Sequence, residues 1–368
     1  MRKRSIVSVA VLFAATAFAA QPAGAAVSGG RPASAPARAP VQIATHLNNP
    51  RQLTIGPDGT LYVAEAGTGA LNASVAGDCF TGPEGPTCPG NTASVTAVRH
   101  PGTAGVDSGS RILRGLLSLA APDGSFAVGL DAVDLAPNGT PYGIITAAPP
   151  GKLPRSLAWQ AGQLITWTQH KKVIPLANIG RFSLGHTRAG HEADTNPYGV
   201  AAGASAVYVT DAGANTLLKF ANGGIRILHN FHQRVGSTGF DSVPTSVTIG
   251  PDGMLYVGEL ASFVPNAARV VVIDPRTGEK VRTIEGLTTV TALAVSGTGT
   301  VYAAEMFAGC PPDDHSCTPG RIVVIPKHGN RYHINVPLPG GVAVDSHGHL
   351  YASVRGIVAG HGAVWRLS

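Results

Sequence analysis

Four carboxylates recur in one local setting. Glu65, Asp211, Glu259 and Glu305 end the short apolar stretches LYVAE, VYVTD, LYVGE and VYAAE. Gathered around a common opening, such oxygen donors suit calcium. A carboxylate repeated at one place in each unit can also accept backbone N–H bonds from its own turn, and repetition unit by unit is what a structural role predicts. Ile145 and Val354 hold the same place in two further units.

A second set lies a little upstream of each acid and is not uniform: Arg51, Asp131, Tyr198, Thr245, Thr291 and Gly340. A specific pocket needs a few well-placed polar groups on a rigid frame, and a varied ring of this kind meets that need, although loose constraint also gives variety. Arg51, Asp131, Asp194, Tyr198 and Thr245 are the expected ligand contacts, Arg51 by charge and Tyr198 by stacking or hydrogen bonding. If the site instead holds a metal, the oxygen donors Asn49, Asp131, Asn196 and Glu259 are the first ligands to test, with calcium as the ion. No other cofactor is indicated.

The cysteines form two close pairs, Cys79 with Cys88 and Cys310 with Cys317, each bracketing a polar, Pro-containing loop. Four cysteines allow three pairings, and the short loops favour Cys79–Cys88 and Cys310–Cys317 disulfides. His315 beside the second pair leaves a zinc alternative, against which stand the missing CxxC spacing and the four ligands that zinc requires. His186, His191, Glu192 and Asp194 fall in the polar insertion 181–195, read as a solvated loop. His347 and His349 fall in the turn DSHGH, as turn residues or, in the weaker reading, as a paired-imidazole metal site. There is no G-x-S-x-G elbow, no H-E-x-x-H and no phosphate-cradling loop, so no catalytic set is nominated.

These residues are carried on a repeat. Residues 243–260, VPTSVTIGPDGMLYVGEL, contain two apolar runs flanking the turn GPDG, a β-hairpin pattern. Related units stand at 50–65, 131–145, 196–211, 291–305 and 339–354. Their tyrosines are Tyr62, Tyr142, Tyr208, Tyr256, Tyr302 and Tyr351, and the last four are 48, 46 and 49 residues apart. A period of about 40–50 residues with short strands predicts propeller blades of four antiparallel strands. Six tyrosines predict an all-β, six-bladed β-propeller over residues 41–368.

In the best-defined blade the strands are expected at 245–249, 255–259, 269–273 and 279–284. The final blade, with strands at 341–344, 350–354 and 363–367, ends one strand short. Residues 41–47, VQIATHL, precede the first unit and are expected to supply the missing outer strand, which closes the ring and removes a sheet edge. Loops between second and third strands share a face with the loops entering the first strands. Both cysteine loops and the insertions 66–108 and 181–195 are placed on that face, at the tunnel mouth. Loops held by a rigid scaffold are where recognition concentrates.

The chain opens with Arg2, Lys3 and Arg4, an apolar run and the small residues Ala23-Gly24-Ala25, the pattern of a secretory signal peptide over residues 1–26. Residues 27–40 are Pro/Ala/Ser-rich and read as a disordered linker. No second long apolar segment follows, so no transmembrane segment is expected after signal cleavage. The net charge is +6 and falls to +3 without those three basic residues. That bias is too small to argue for nucleic acid or an acidic membrane.

The units LTIGPDGTLYVAEAG, NPYGV…VYVTDAGANTLLKF and VPTSVTIGPDGMLYVGEL resemble NHL-type propeller repeats. More specifically, DTNPYGV and VPTSV with GPDG-x-LYVGEL are similar to the ScyD/ScyE family of secreted bacterial propellers, named after a scytonemin biosynthesis cluster. Thr195 stands where the family's DSNPYG-like stretch has Ser. Val290-Thr291-Ala292 lacks the usual Pro, and the His-rich turn at His347 is a further departure. The resemblance implies a propeller fold and export, and supplies no reaction or catalytic residues. The expectation is a secreted or cell-surface monomer that binds a small molecule, glycan or peptide at its tunnel mouth. The alternative is a metal-dependent propeller hydrolase or lyase of lactonase-like type.

Overall fold

The strand pairings of a computed structural model give six four-stranded antiparallel blades. The structure describes residues 39–82, 85–187, 193–231, 240–309 and 319–367. The expected signal peptide lies outside the described residues, as does the linker up to residue 38.

The chain enters through β1 (Val41–Leu47). Blade 1 is β2 (Pro50–Ile55), β3 (Leu61–Glu65), β5 (Gly85–Val98) and β6 (Gly109–Ala120), with the short β4 (Phe80–Gly82) paired to β5. Blade 2 is β7 (Leu130–Leu135), β8 (Pro141–Ile145), β9 (Gln163–Trp167) and β10 (Val173–Asn178), followed by the short helix α1 (Ile179–Gly185). Blade 3 is β11 (Pro197–Ala202), β12 (Val207–Asp211), β13 (Thr216–Ala221) and β14 (Gly224–Asn230). Blade 4 is β15 (Pro244–Ile249), β16 (Leu255–Glu259), β17 (Ala268–Ile273) and β18 (Lys280–Leu287). Blade 5 is β19 (Val290–Val295), β20 (Val301–Glu305), β21 (Arg321–Ile325) and β22 (Tyr332–Asn335). Blade 6 is β23 (Gly341–Val344), β24 (Leu350–Val354) and β25 (Gly362–Arg366), completed by β1.

Local chemistry explains the hairpins. In GPDG, Gly253 takes a positive φ of 75°, and the Asp252 carboxylate accepts the Met254 N–H at 3.2 Å. The β-branched runs on either side bury both faces against neighbouring blades, so they read as continuous apolar stretches. The core accordingly sits between blades. Tyr256, Val270 and Val272 of blade 4, for example, pack in one cluster with Val290, Leu293 and Val301 of blade 5.

Closure occurs as the chain ends predict. β1 pairs antiparallel with β25, from Val41 opposite Arg366 to Leu47 opposite Gly362. Ile43 and Ala44 are fully buried. The seam is tight on the inner side too: a Cβ on Gly341 would strike the Arg51 carbonyl of β2, which also accepts the Ser353 hydroxyl at 2.9 Å.

Two placements differ from the sequence reading. Much of the insertion 66–108 is not loop: β5 occupies 85–98, and 99–108 joins β5 to β6 at the opposite face, where Arg366 Nη1 donates to the Pro101 and Gly102 carbonyls. Pro89-Gly90 and the small residues near Ala93 hide this strand, and the pairing slips in register between Gly90 and Ala93. The insertion 181–195 begins inside α1, whose start is capped by the Asn178 side chain accepting the Arg181 N–H at 2.7 Å. His191 and Glu192 of that insertion lie outside the described residues.

Candidate functional site

The first-strand openings converge where β2, β7, β11, β15, β19 and β23 line the tunnel. Arg51 of β2 and Asp131 of β7 form its charged centre. Arg51 Nε lies 3.9 Å from Asp131 Oδ1, with the two side chains 6% and 0% exposed. The guanidinium also donates through Nη2 to the Ala127 carbonyl and through Nη1 to the Tyr198 hydroxyl at 3.5 Å. Asp131 Oδ1 accepts the Gly129 N–H at 3.3 Å. Arg51 Nε and Asp131 Oδ2 are buried without a hydrogen-bond partner among the described residues. Burial pushes the Asp131 carboxyl up to about 7, against the opposing pull of the Arg51 charge and the Gly129 N–H.

Sequence reasoning missed Gln52. Its Nε2 donates to the Thr245 carbonyl at 2.7 Å and the Thr291 carbonyl at 3.3 Å, reaching from blade 1 to blades 4 and 5. The signal was present: the equivalent residues in the other blades are Ala132, Gly199, Ser246, Ala292 and Gly341, all small. Only small neighbours leave room for one long amide to cross the tunnel.

The expected contacts divide into three groups. Arg51, Asp131 and Tyr198 come together at the centre. Thr245 is buried and ties strands together, its hydroxyl donating to the Val290 carbonyl at 2.6 Å. Asp194 stays exposed at the rim, accepting the Thr195 N–H at 2.7 Å. Arg51 and Tyr198 are buried rather than loop-facing, only 5% and 8% exposed.

The recurrent acids are engaged inside their own blades. Glu65 accepts the Asn48 N–H at 2.8 Å and the Thr96 hydroxyl at 2.6 Å, and pairs with Arg111 at 2.7 Å. Glu259 pairs with Arg269 at 2.6 Å, and Glu305 pairs with Arg321 at 2.6 Å while accepting the Thr288 N–H at 2.6 Å. Asp211 accepts the Thr195 hydroxyl at 2.6 Å and the Asn196 and Ala214 N–H groups. Burial raises the Glu305 carboxyl above its ordinary value despite these partners. Most of the backbone donors come from the loop entering the first strand, rather than from the turn after the acid.

Of the oxygen donors considered for a metal, Glu259 is held by Arg269. The Asn49 amide donates to the Gly67 and Gly124 carbonyls at 2.7 and 2.8 Å, and Asn196 Oδ1 accepts the Thr146 hydroxyl at 3.3 Å. A cation there would have to displace Arg269.

The rim of this face is pinned by the Cys79–Cys88 disulfide, with Cα atoms 4.1 Å apart. The Cys310–Cys317 pairing lies outside the described residues, as does His315. Replacing Cys79 and Cys88 by Ser should lower stability by about 2–3 kcal/mol, the chain-entropy value for a small loop. Denaturant unfolding of the double variant checks this, and an unchanged midpoint would show that the local hydrogen bonds hold the loop alone.

The opposite face carries a groove of about 740 Å³ between blades 4 and 5, lined by Asp252, Arg282, Glu285, Lys327 and Arg331 among others. Its two arginines already have partners within the chain: Arg282 donates to the Tyr256 hydroxyl at 2.8 Å and Arg331 to the Glu285 carbonyl at 2.6 Å. It lacks the buried unpaired polar atoms of the tunnel centre.

No family model matches the chain, and no curated protein matches it. Among solved structures it is similar to a streptogramin B lyase, at 9% identity over 90% of this chain and 97% of that one, with a TM-score of 0.46. It is similar to a chain of a nidogen/laminin complex at 12% identity, 73% and 84% coverage and a TM-score of 0.46. A hydrazine synthase of Kuenenia stuttgartiensis matches at 18% identity, 85% and 76% coverage and a TM-score of 0.43. None of these likenesses assigns an activity to this chain.

Proposed function

We propose that this chain is an exported β-propeller that binds a small molecule, glycan or peptide at its tunnel mouth, and that it is a ScyD/ScyE-type propeller. The observation that carries the binding reading is the buried Arg51–Asp131 centre, where one donor, Arg51 Nε, and one acceptor, Asp131 Oδ2, are unsatisfied. Burying such atoms without partners is costly. A ligand group that both donates and accepts, such as an amide or a hydroxyl, would satisfy them together. Export is supported by the N-terminal sequence pattern and by a disulfide, which persists in oxidising compartments. Among the described residues no helix is long and apolar enough to cross a membrane.

A thermal-shift screen of glycans, peptides and small polar molecules, followed by calorimetry at a temperature where each variant is folded, tests the reading. A genuine hit should bind Asp131→Asn and Arg51→Met at least tenfold more weakly than the parent protein. It should bind Thr298→Ala, an exposed turn variant on the opposite face, unchanged. Hits that ignore both central substitutions contradict the proposal.

A second reading, a hydrolase or lyase of lactonase-like type, draws on one observation. A carboxyl pushed up to about 7 beside a guanidinium and a phenol is matched to proton transfer near neutral pH. Turnover of lactone or ester substrates that Asp131→Asn abolishes would favour this reading over simple binding.

A further inference from the structure

We propose that the turn closing blade 6, Asp345-Ser346-His347-Gly348-His349, is a binding site for a borderline divalent cation of the zinc class, on the face opposite the tunnel mouth. Among the described residues, Asp345, His347 and His349 form a group whose ligand atoms all lie within 4.8 Å of one another.

The turn departs from the repeat in a coordinated way. In the other five blades the position of Asp345 is a small residue, Gly56, Ala136, Gly203, Gly250 or Ser296. In blades 1 and 4 a turn carboxylate stands two residues later, at Asp58 and Asp252, where it accepts a backbone N–H from the next turn residue but one and, at Asp252, the Tyr256 hydroxyl. In blade 6 the carboxylate has moved to Asp345 and keeps both duties. Its Oδ1 accepts the His347 and His349 N–H groups, each at 2.9 Å, and its Oδ2 accepts the Tyr351 hydroxyl at 2.9 Å. Imidazoles then occupy the vacated position 347 and position 349. The turn backbone is therefore held through N–H groups rather than through imidazoles, and of the two rings it is that of His349 which also bonds Asp345.

The donors are preorganised. Asp345 Oδ2 and His349 Nδ1 are 2.8 Å apart, a hydrogen bond when Nδ1 carries the proton. A cation can take that proton's place, because adjacent ligands on a tetrahedral zinc stand about 3.3 Å apart, given bonds of about 2.0–2.1 Å. The exposed His347 ring, 6.0 Å from that of His349, swings in as the third ligand. Tyr351 remains behind the carboxylate and orients it, as outer-shell donors do. Two imidazoles and one carboxylate select zinc, nickel or copper over calcium or magnesium. Three protein ligands on an open turn leave a position for water or for a partner's side chain.

The test uses untagged mature protein and zinc chloride alone in equilibrium dialysis or calorimetry. The expected result is one zinc per chain at this turn, not displaced by millimolar calcium. His347→Ala, which removes an exposed ring and leaves the Asp345 hydrogen bonds intact, should weaken binding at least tenfold. His349→Asn, which can still hydrogen-bond Asp345, should do the same, with circular dichroism confirming that both variants are folded. Absence of zinc binding, or binding that survives either substitution, overturns the proposal.

Discussion

Removing residues 41–47 lowers the thermal midpoint by about 10 °C. β1 is the outer strand of blade 6 and buries Ile43, Ala44 and Leu47 against a cluster that includes Leu61, Val98 and Tyr351. Full burial of an Ile or Leu side chain is worth about 1.5–3 kcal/mol, so the two large residues contribute roughly 3–6 kcal/mol. At about 2–4 °C per kcal/mol for domains of 150–250 residues, the expected fall is near 10 °C. The truncated chain also exposes the edge of β25, so it should associate more readily. Differential scanning calorimetry with light scattering checks both effects. A truncated chain that melts at the parent's midpoint would mean that the ring holds without its closing strand.

The second large effect lies at the tunnel centre. Replacing Arg51 by Met removes the cation beside buried Asp131, a change that costs about 3–5 kcal/mol where the carboxyl is ionised, so the cost depends on pH. The folded Asp131 carboxyl stays protonated up to about 7, whereas in the unfolded chain it ionises near its ordinary value of 3.8. Between these values the folded state holds the extra proton, so stability from this group falls as pH rises from about 4 to 7 and levels off above. Arg51 offsets part of that loss by favouring the ionised form. Arg51→Met should therefore be more damaging at pH 8 than at pH 5. Asp131→Asn should remove the slope, gaining on the parent protein by a few kcal/mol across that interval at about 1.4 kcal/mol per pKa unit. Asp134 and Glu305 are also raised by burial and add slope of the same sign, so the difference between parent and variant isolates Asp131. Denaturant unfolding at several pH values decides the matter, and a pH-independent difference would contradict the assignment.

The fold was legible because a repeated hairpin exposes its own period. The tyrosine spacing, the missing last strand and the unattached VQIATHL segment each pointed to one closed ring. The strands of blade 4 fell within a few residues of their expected limits because β-branched runs and GPDG turns mark them. Blade 1 was less legible: β5 runs through Pro89-Gly90 and is held by small residues and partners distant in sequence. The short α1 was hidden because its seven residues carry no recognisable period.

The first-strand openings were legible as a ring of positions, but not in their depth. Arg51, Asp131 and Tyr198, read as equivalent positions of three units, do lie together in the structure. That Arg51 is buried, that Gln52 crosses the tunnel, and that the Thr245 hydroxyl ties neighbouring strands depend on which neighbours are small. Such packing is a property of six blades together and of no single unit. The acids at the ends of the second strands found cationic partners in Arg111, Arg269 and Arg321, and these lie ten or more residues away in sequence, where no short motif joins them.

The most direct measurement is a crystal structure of the protein with the tightest ligand found by the screen. The account predicts ligand density at the tunnel mouth, with one polar group of the ligand accepting from Arg51 Nε and donating to Asp131 Oδ2. A ligand seated instead in the groove between blades 4 and 5, with the Arg51–Asp131 centre unchanged, would contradict it.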